Sequence, residues 1–184
     1  SGGAGLGPGA LCLVMQELGR RLCAVPLGPL AASALALAES RTAAHAALLA
    51  GVLAGDQVVM PSRLGDVALT RTDAGWTISG QAGGIPAAVM AGYLIAADGD
   101  DERLLFYLPS GSTGATLTRA QAADGTALSR LELRECRITD EAVIARGDAA
   151  RALGARMNAI VQLAIAAEML GVMDGAFKIG RAHV

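Results

Sequence analysis

Val67-Ala68-Leu69-Thr70-Arg71, then Thr72-Asp73-Ala74-Gly75, then Trp76-Thr77-Ile78-Ser79: this stretch decides the fold. Apolar and polar residues alternate on both sides of a short segment of Thr, Asp and Gly. Alternation with a period of two is what a half-buried strand requires, and the Asp-Ala-Gly junction permits a tight reversal. The stretch predicts a β-hairpin. Further out, Tyr93–Ala97, Leu104–Leu108, Ala115–Thr118 and Leu131–Cys136 read as strands punctuated by Gly, Asp and Pro. About five to seven short strands between Asp56 and Arg146 predict a small antiparallel barrel or sandwich.

The flanks read differently. Before Gly55 the periodicity is helical. Leu11, Val14, Met15, Leu18 and Leu22 fall on one face of a first helix, which Pro26 and Pro29 stop. A short second helix follows Pro29 through Leu35 and Leu37. Ser40 is placed to cap a third, with Leu48, Leu49, Val52 and Leu53 inward and Gly55 as its stop. After Gly147, Asp148 is placed to cap a long helix that carries Leu153, Met157, Ile160, Val161, Ala164 and Ile165 to about Gly171 or beyond. That helix is apolar on most faces and needs partners on several sides, which this chain supplies sparsely. Its apolar run, Ala159 to Met173, holds Gln162 and Glu168. It reads as a buried helix, too short and too polar to span a membrane. The chain thus divides at 1–55, 56–147 and 148–177.

Composition narrows the function. The 184 residues are 53% hydrophobic, enough to build a core, and the formal net charge is −2. No basic face argues for nucleic acid or an anionic membrane as partner. Cys12, Cys23 and Cys136 are too few and too scattered for a disulfide framework, and read as buried free thiols in a reducing cytoplasm. The only lysine, Lys178, lies in the tail Lys178–Val184. That tail departs from the Ala-, Gly- and Arg-rich habit of the chain and back-translates to a sequencing-library adapter. The expected native sequence therefore stops near Phe177, and 178–184, with His183, is a non-native tail.

Few residues carry chemistry on their own. The Gly3–Gly9 run lacks the preceding strand and the spacing of a dinucleotide loop. His45 has no partner at metal-ligand spacing, so no metal is expected, and no nucleophile elbow or Cys–His signature is present. Glu168 on an apolar helix calls for a partner across helices or an open face. Arg156, twelve residues earlier, shares that face only loosely.

The order of zones, with words inside them, resembles the acyl-CoA dehydrogenase family. Gly2-Gly3-Ala4-Gly5-Leu6-Gly7 is similar to its glycine-rich lead-in, and Gln16-Glu17-Leu18-Gly19-Arg20 to its "EELGR" helix end. Gly75-Trp76-Thr77-Ile78-Ser79-Gly80 resembles the "GW-x-L-x-G" strand. Asp124-Gly125 and Leu131-Glu132-Leu133 match later strands, and the helix from Asp148 resembles the first helix of the C-terminal bundle. The resemblance covers residues 1–177.

It implies an α+β arrangement of N-terminal helices, a middle antiparallel β-barrel or sandwich, and the start of a C-terminal helical bundle. It also implies flavin adenine dinucleotide (FAD), an acyl-CoA substrate dehydrogenated at its α,β-carbons, an electron-transferring flavoprotein as acceptor, and a homo- or hetero-oligomer. A bacterial, cytoplasmic protein of lipid β-oxidation without a membrane span is the corresponding expectation. The family's "LTEP…GSD" loop falls near Val58 to Gly65, which makes Met60 and Ser62 cofactor-binding candidates. Its "W-I-T/S" segment falls on Gly84, Ile85 and Pro86, where only the Ile survives. Arg156 matches an arginine near the substrate, and the alternative base position before it falls on Ala155. The usual base and the "R-x-QFG" segment lie beyond Phe177, so this stretch alone is expected to be inactive. Two other readings stay open: a non-catalytic or half-site partner subunit of a heteromeric dehydrogenase, and a β-domain binding or assembly protein without flavin.

Overall fold

The structure, a computed structural model, describes residues 5–62, 64–73, 75–86, 90–99, 102–121 and 127–182. Gly2 to Ala4 and Asp124-Gly125 of the resemblance lie outside the described residues. Three helices come first: α1 (Pro8–Arg20), α2 (Leu27–Glu39) and α3 (Ala43–Ala54). Eight strands follow: β1 (Val59–Pro61), β2 (Leu64–Thr72), β3 (Gly75–Pro86), β4 (Gly92–Asp98), β5 (Arg103–Pro109), β6 (Ala115–Gln121), β7 (Ala127–Ile138) and β8 (Val143–Arg146). Helix α4 (Gly147–Ala182) closes the chain with 36 residues.

The expected hairpin is β2–β3, paired from Thr72 opposite Gly75 out to Leu64 opposite Gly83. The strands lie in the order β6-β7-β3-β2-β4-β5-β8, with β1 parallel to β4. The sheet is therefore mixed, and it is not a closed barrel: β2 meets β4 at one parallel step, Ala68 opposite Asp98. The middle β-domain of the expected fold is present, as two antiparallel groups joined at that step. Their shared core holds Val67, Trp76, Ile78 and Leu131 from one group and Tyr93, Ile95, Phe106 and Leu108 from the other. Phe106, fully buried, contributes on the order of 2–3 kcal/mol by removal from water alone. The opposite face of β4 and β5 turns Leu94 and Leu105 toward the helices, where Ala32, Ala36 and Leu37 of α2 and Leu153, Met157 and Val161 of α4 complete a second core. Strict alternation along β4 and β5 is what lets one pair of strands serve both cores.

Several local expectations are corrected. Helix α1 ends at Arg20, so Leu22 lies past it and is 77% exposed; the buried positions are Met15 and Gly19, while Val14 is exposed. Pro29 does not stop a helix. It sits in the first turn of α2, where its missing N–H costs nothing. The cap of α3 is Thr42, whose hydroxyl accepts from the His45 amide at 3.2 Å. Ser40 instead ends α2 and meets His45 Nδ1 at 2.6 Å. Leu53 is exposed, and Gly55 stops α3 in the left-handed region at φ 83°. Asp148 lies in the first turn of α4. Cys136 is buried, but Cys12 is half-buried and Cys23, beyond the end of α1, is exposed.

Helix α4 runs through Lys178 to Ala182 without a break, and its length and composition would allow it to cross a membrane. That overturns the expectation that it is too short. Its first half is docked by Ala150, Leu153, Met157, Val161 and Ala164, while Met169, Leu170, Met173 and Phe177 are exposed. The expected shortage of partners is therefore real over its second half.

The α1–α4 crossing rests on glycine. A Cβ at Gly19 would collide with the Glu168 carbonyl, and a Cβ at Gly171 with the Gln16 carbonyl. Backbone meets backbone at this crossing. Asp174 then receives hydrogen bonds from Gln16 (3.0 Å) and Arg20 (3.1 Å), and Arg20 also pairs with Glu17. These donors hold the Asp174 carboxyl below the usual carboxylate range.

Two predictions follow from these contacts. Glycine to alanine inside a helix ordinarily stabilises by about 0.5–1 kcal/mol, and Gly154→Ala, whose Cβ meets open space, should do so. Gly171→Ala, on the same helix, should destabilise by roughly 1–3 kcal/mol through overpacking; urea denaturation of the pair gives opposite signs, or the crossing is wrong. His45 is 2% exposed, and burial pushes its pKa below the ordinary 6.5. The unfolded chain therefore binds the proton more tightly than the folded one. Stability should fall as pH drops from 7 through about 6.5 toward 5, and His45→Gln should flatten that stretch of the stability profile.

Candidate functional site

The floor of the candidate site is the helix-facing side of β4 and β5. Leu94, Ala96 and Asp98 alternate onto that side of β4, and Arg103 and Leu105 lie opposite Asp98 and Ala96 on β5. Helix α4 crosses above, presenting Arg151, Gly154, Ala155, Met157 and Asn158. Gly154, Ala155, Ala96 and Gly65 all line the gap with little or no side chain, so the layers do not close. A cleft of about 350 Å³ remains. Leu94, Leu105 and Met157 are buried and make its base apolar. Asp66, Asp98, Arg103, Arg151 and Asn158 make its margin polar. Arg103 lies 3.5 Å from Asp98, and its Nε is buried without a hydrogen-bond partner among the described residues. Arg151 reaches only to 3.8 Å from Asp148.

Around the edge of the sheet lies a second groove, of about 360 Å³, lined by Gly65, Gln81–Gly84 and Leu128–Arg130. Gly65 belongs to both. Gly84 has φ +66°, a conformation in which L side chains are strained, so this bend of β3 offers bare backbone. Ser129, opposite Ile85 in the ladder, is buried, and its Oγ has no partner among the described residues. Ser62 Oγ donates to the Gly83 carbonyl at 3.3 Å, which ties the end of β1 to this bend.

The structure thus brings together the two segments singled out from the sequence, Met60–Ser62 and Gly84–Pro86. It divides their roles. The side chains of Met60 and Ile85 are fully buried in the core, and only their backbones can meet a ligand. Ser62, Gly84 and Pro86 are half-buried at the rims. Arg156 stands apart: it is exposed and donates to Glu39 at 2.8 Å, joining α4 to the end of α2. Its neighbours Ala155 and Met157 line the cleft, and Ala155 brings no carboxylate there. Glu168 is half-buried, with its backbone against Gly19. Among the described residues no group of three His, Cys, Asp or Glu side chains is placed to hold a metal ion. Sequence reasoning missed Arg103, Arg151 and Ser129. The signal for Arg103 was its place in the strand alternation, on the same face as Leu105, where a covered residue is due.

No family model and no curated protein matches the sequence. Solved structures do. A variant of the Tcur3481–Tcur3483 steroid acyl-CoA dehydrogenase is 30% identical over 97% of this chain, with TM-score 0.81. The solved structures it matches include acyl-CoA dehydrogenases, and it shares their fold over nearly all of its own length. The ChsE4–ChsE5 complex from Mycobacterium tuberculosis matches over 97% of the chain at 22% identity and TM-score 0.84. A glutaryl-CoA dehydrogenase from Mycobacterium smegmatis in complex with FADH2 matches over 91%, at 17% identity and TM-score 0.80. At those identities the last two speak to the fold alone. The chain spans about half the length of these structures: 50%, 50% and 48%.

The Ser129 hydroxyl has no partner among the described residues, and this sets an expectation for the chain without ligand. A buried hydroxyl lacking a partner costs about 1–3 kcal/mol, so Ser129→Ala should raise the urea midpoint; a lowered midpoint would mean the hydroxyl is already bonded.

Proposed function

We propose that the chain forms the cofactor- and thioester-facing wall of an acyl-CoA dehydrogenase-like flavoprotein that dehydrogenates an acyl-CoA at its α,β-carbons. The observation that carries this is the pair of openings that meet at Gly65, one between sheet and α4 and one along the β3 bend. The division into an N-terminal helical part (1–55), a β-domain (56–147) and the first bundle helix (148–177) is part of the same reading.

The residues present fit one side of a flavin site. The bare backbone at Gly83 and Gly84 permits close approach of a flat ring, and the unpartnered Ser129 hydroxyl is a hydrogen-bonding group in need of an acceptor or donor. Ser62, held at Gly83, is a second hydroxyl at the junction. When bound, FAD supplies the acceptor for a hydride. This chain's own residues then orient and shield. Leu94, Leu105 and Met157 exclude water from the cleft floor, and the absence of side chains at Gly154 makes room for an acyl thioester. None of Met60, Ser62, Gly84, Ile85, Pro86 or Arg156 is a base, and Ala155 cannot take the α-proton. A carboxylate from another segment has to do so. Electrons would leave to an electron-transferring flavoprotein. The three free cysteines agree with a cytoplasmic setting, and no step requires a membrane span or nucleic acid.

A second reading has its own support. Two of the similar structures bear two-component names. A chain that lacks a base at Ala155 and the aromatic and hydroxyl at Gly84 and Pro86 suits the half-site subunit of such an assembly.

The test is flavin retention by the purified product of the complete gene. Yellow protein obtained alone supports the first reading; colour only on co-expression with a neighbouring dehydrogenase gene supports the second. No flavin in either preparation sinks both and leaves a binding or assembly role. In the flavin-retaining preparation, Ser129→Ala should weaken FAD binding about 5- to 10-fold, the loss of one hydrogen bond. Pro86→Thr, which restores a hydroxyl without touching the strained Gly84, should strengthen it.

A further inference from the structure

We propose that Arg103 and Arg151 bind an oxyanion carried by the thioester, at the margin of the cleft between the sheet and α4. This deepens the reading above and rests on it for the identity of the ligand. Three features of the cleft point to an amphipathic ligand with an anionic end. The base is apolar, made by Leu94, Leu105 and Met157. The side wall at Gly154 is empty, with nothing within 4 Å of the position a Cβ would take. The margin carries two guanidinium groups whose donors are not used up.

Each arginine lies at ion-pair distance from a carboxylate, but among the described residues neither donates a hydrogen bond to it. Asp98 is 3.5 Å from Arg103 Nη1, without hydrogen-bond geometry, and Arg103 Nε is buried and unpartnered among the described residues. Asp148 is 3.8 Å from Arg151 Nε, too far for a hydrogen bond, and both side chains are exposed. A guanidinium presents a fixed fork of donors that matches a carboxylate or phosphate, and a buried unused N–H favours whatever acceptor can reach it. Asp66 and Asp98 also line the cleft, so its formal charge is balanced. Binding therefore depends on reaching those particular N–H groups rather than on net charge.

Two sources carry this chemistry: phosphates of the thioester carrier, or a carboxylate on the acyl group. Calorimetric titration separates them with three probes. Coenzyme A brings phosphates and no acyl group. S-butyryl and S-succinyl N-acetylcysteamine bring an acyl thioester and no phosphate, the second with a free carboxylate. If phosphate is the oxyanion, coenzyme A binds, and Arg103→Gln and Arg151→Gln each weaken it at least about tenfold, as loss of a charge-assisted hydrogen bond does. If the acyl carboxylate is, the succinyl thioester binds at least about tenfold tighter than the butyryl one, and both variants erase the preference. Gly154→Leu fills the open wall and should block every bound probe while leaving the melting temperature no lower, which separates occlusion from misfolding.

Thioester binding that both arginine variants leave within about twofold overturns the oxyanion site and spares the proposed function. Binding of inorganic phosphate or succinate that the variants abolish, with no thioester bound, keeps the oxyanion site and counts against the proposed function. No binding of any probe overturns the oxyanion site, and the proposed function is then judged on flavin retention alone.

Discussion

Helix α4 lies against α1 with backbone touching backbone, and the rest of the architecture follows from that closeness. At a crossing where the Glu168 carbonyl faces Gly19 and the Gln16 carbonyl faces Gly171, no side chain separates the helices. Their axes can approach further than leucine-lined helices do, and α4 has little freedom to tilt. Asp174 then fixes the register by drawing Gln16 and Arg20 to one carboxylate. With its second half fixed in this way, the first half of α4 lies across β4 and β5. Ala150, Leu153, Met157 and Val161 fill the space over Leu94 and Leu105. Gly154 and Ala155 do not fill theirs. The cleft is the part of the sheet–helix interface that small residues leave open, and its position is set by the distant glycine crossing.

Much of this was legible in the sequence because periodicity reports burial. The β2–β3 hairpin, β4 to β7 and the long last helix all announce themselves through alternation or helical spacing. Two strands did not. Val59–Pro61 is three residues long and pairs in parallel with β4, and Val143–Arg146 is four residues at the far edge. Neither is long enough to establish a period. The inward face of α1 was misread for a different reason. A stripe of apolar side chains marks the face a helix buries only when side chains make the contact. Here Gly19 makes it, and Val14 and Leu22 are left in solvent. The cap of α3 was ambiguous because Ser40 and Thr42 are both eligible; the His45 amide and ring take one each.

The site was legible by segment and not by side chain. Met60–Ser62 and Gly84–Pro86 are separated by more than twenty residues, yet one hydrogen bond from Ser62 to Gly83 unites them. Their most hydrophobic members face the core, as a strand's alternation requires, so what they can offer a ligand is hydroxyl, glycine and backbone. Arg103 and Ser129 were overlooked because each looks ordinary in a strand. Alternation places Arg103 on the face of Leu105, but only the partner strands reveal its pairing opposite Asp98 and show that Ser129 is buried without a bond among the described residues. A polar residue on a covered face is informative because burial without a partner is costly, and that cost cannot be read from a single strand.

Removing hydrogens from adjacent carbons of a thioester asks for a hydride acceptor, a base, and groups that hold the carbonyl and its chain in place. On the proposed reading these tasks separate cleanly along the chain. The carboxylates in the cleft, Asp66 and Asp98, stand at its polar margin beside arginines. A base for a weakly acidic carbon needs a dry, apolar setting, and the buried residues of the cleft floor, Leu94, Leu105 and Met157, carry no carboxylate. What this stretch provides is therefore orientation: an apolar base for the chain, guanidinium donors for its anionic end, and an uncovered backbone bend beside it. Such a surface can be kept while the chemistry moves to another segment or another subunit, because binding and proton abstraction place different demands on their residues.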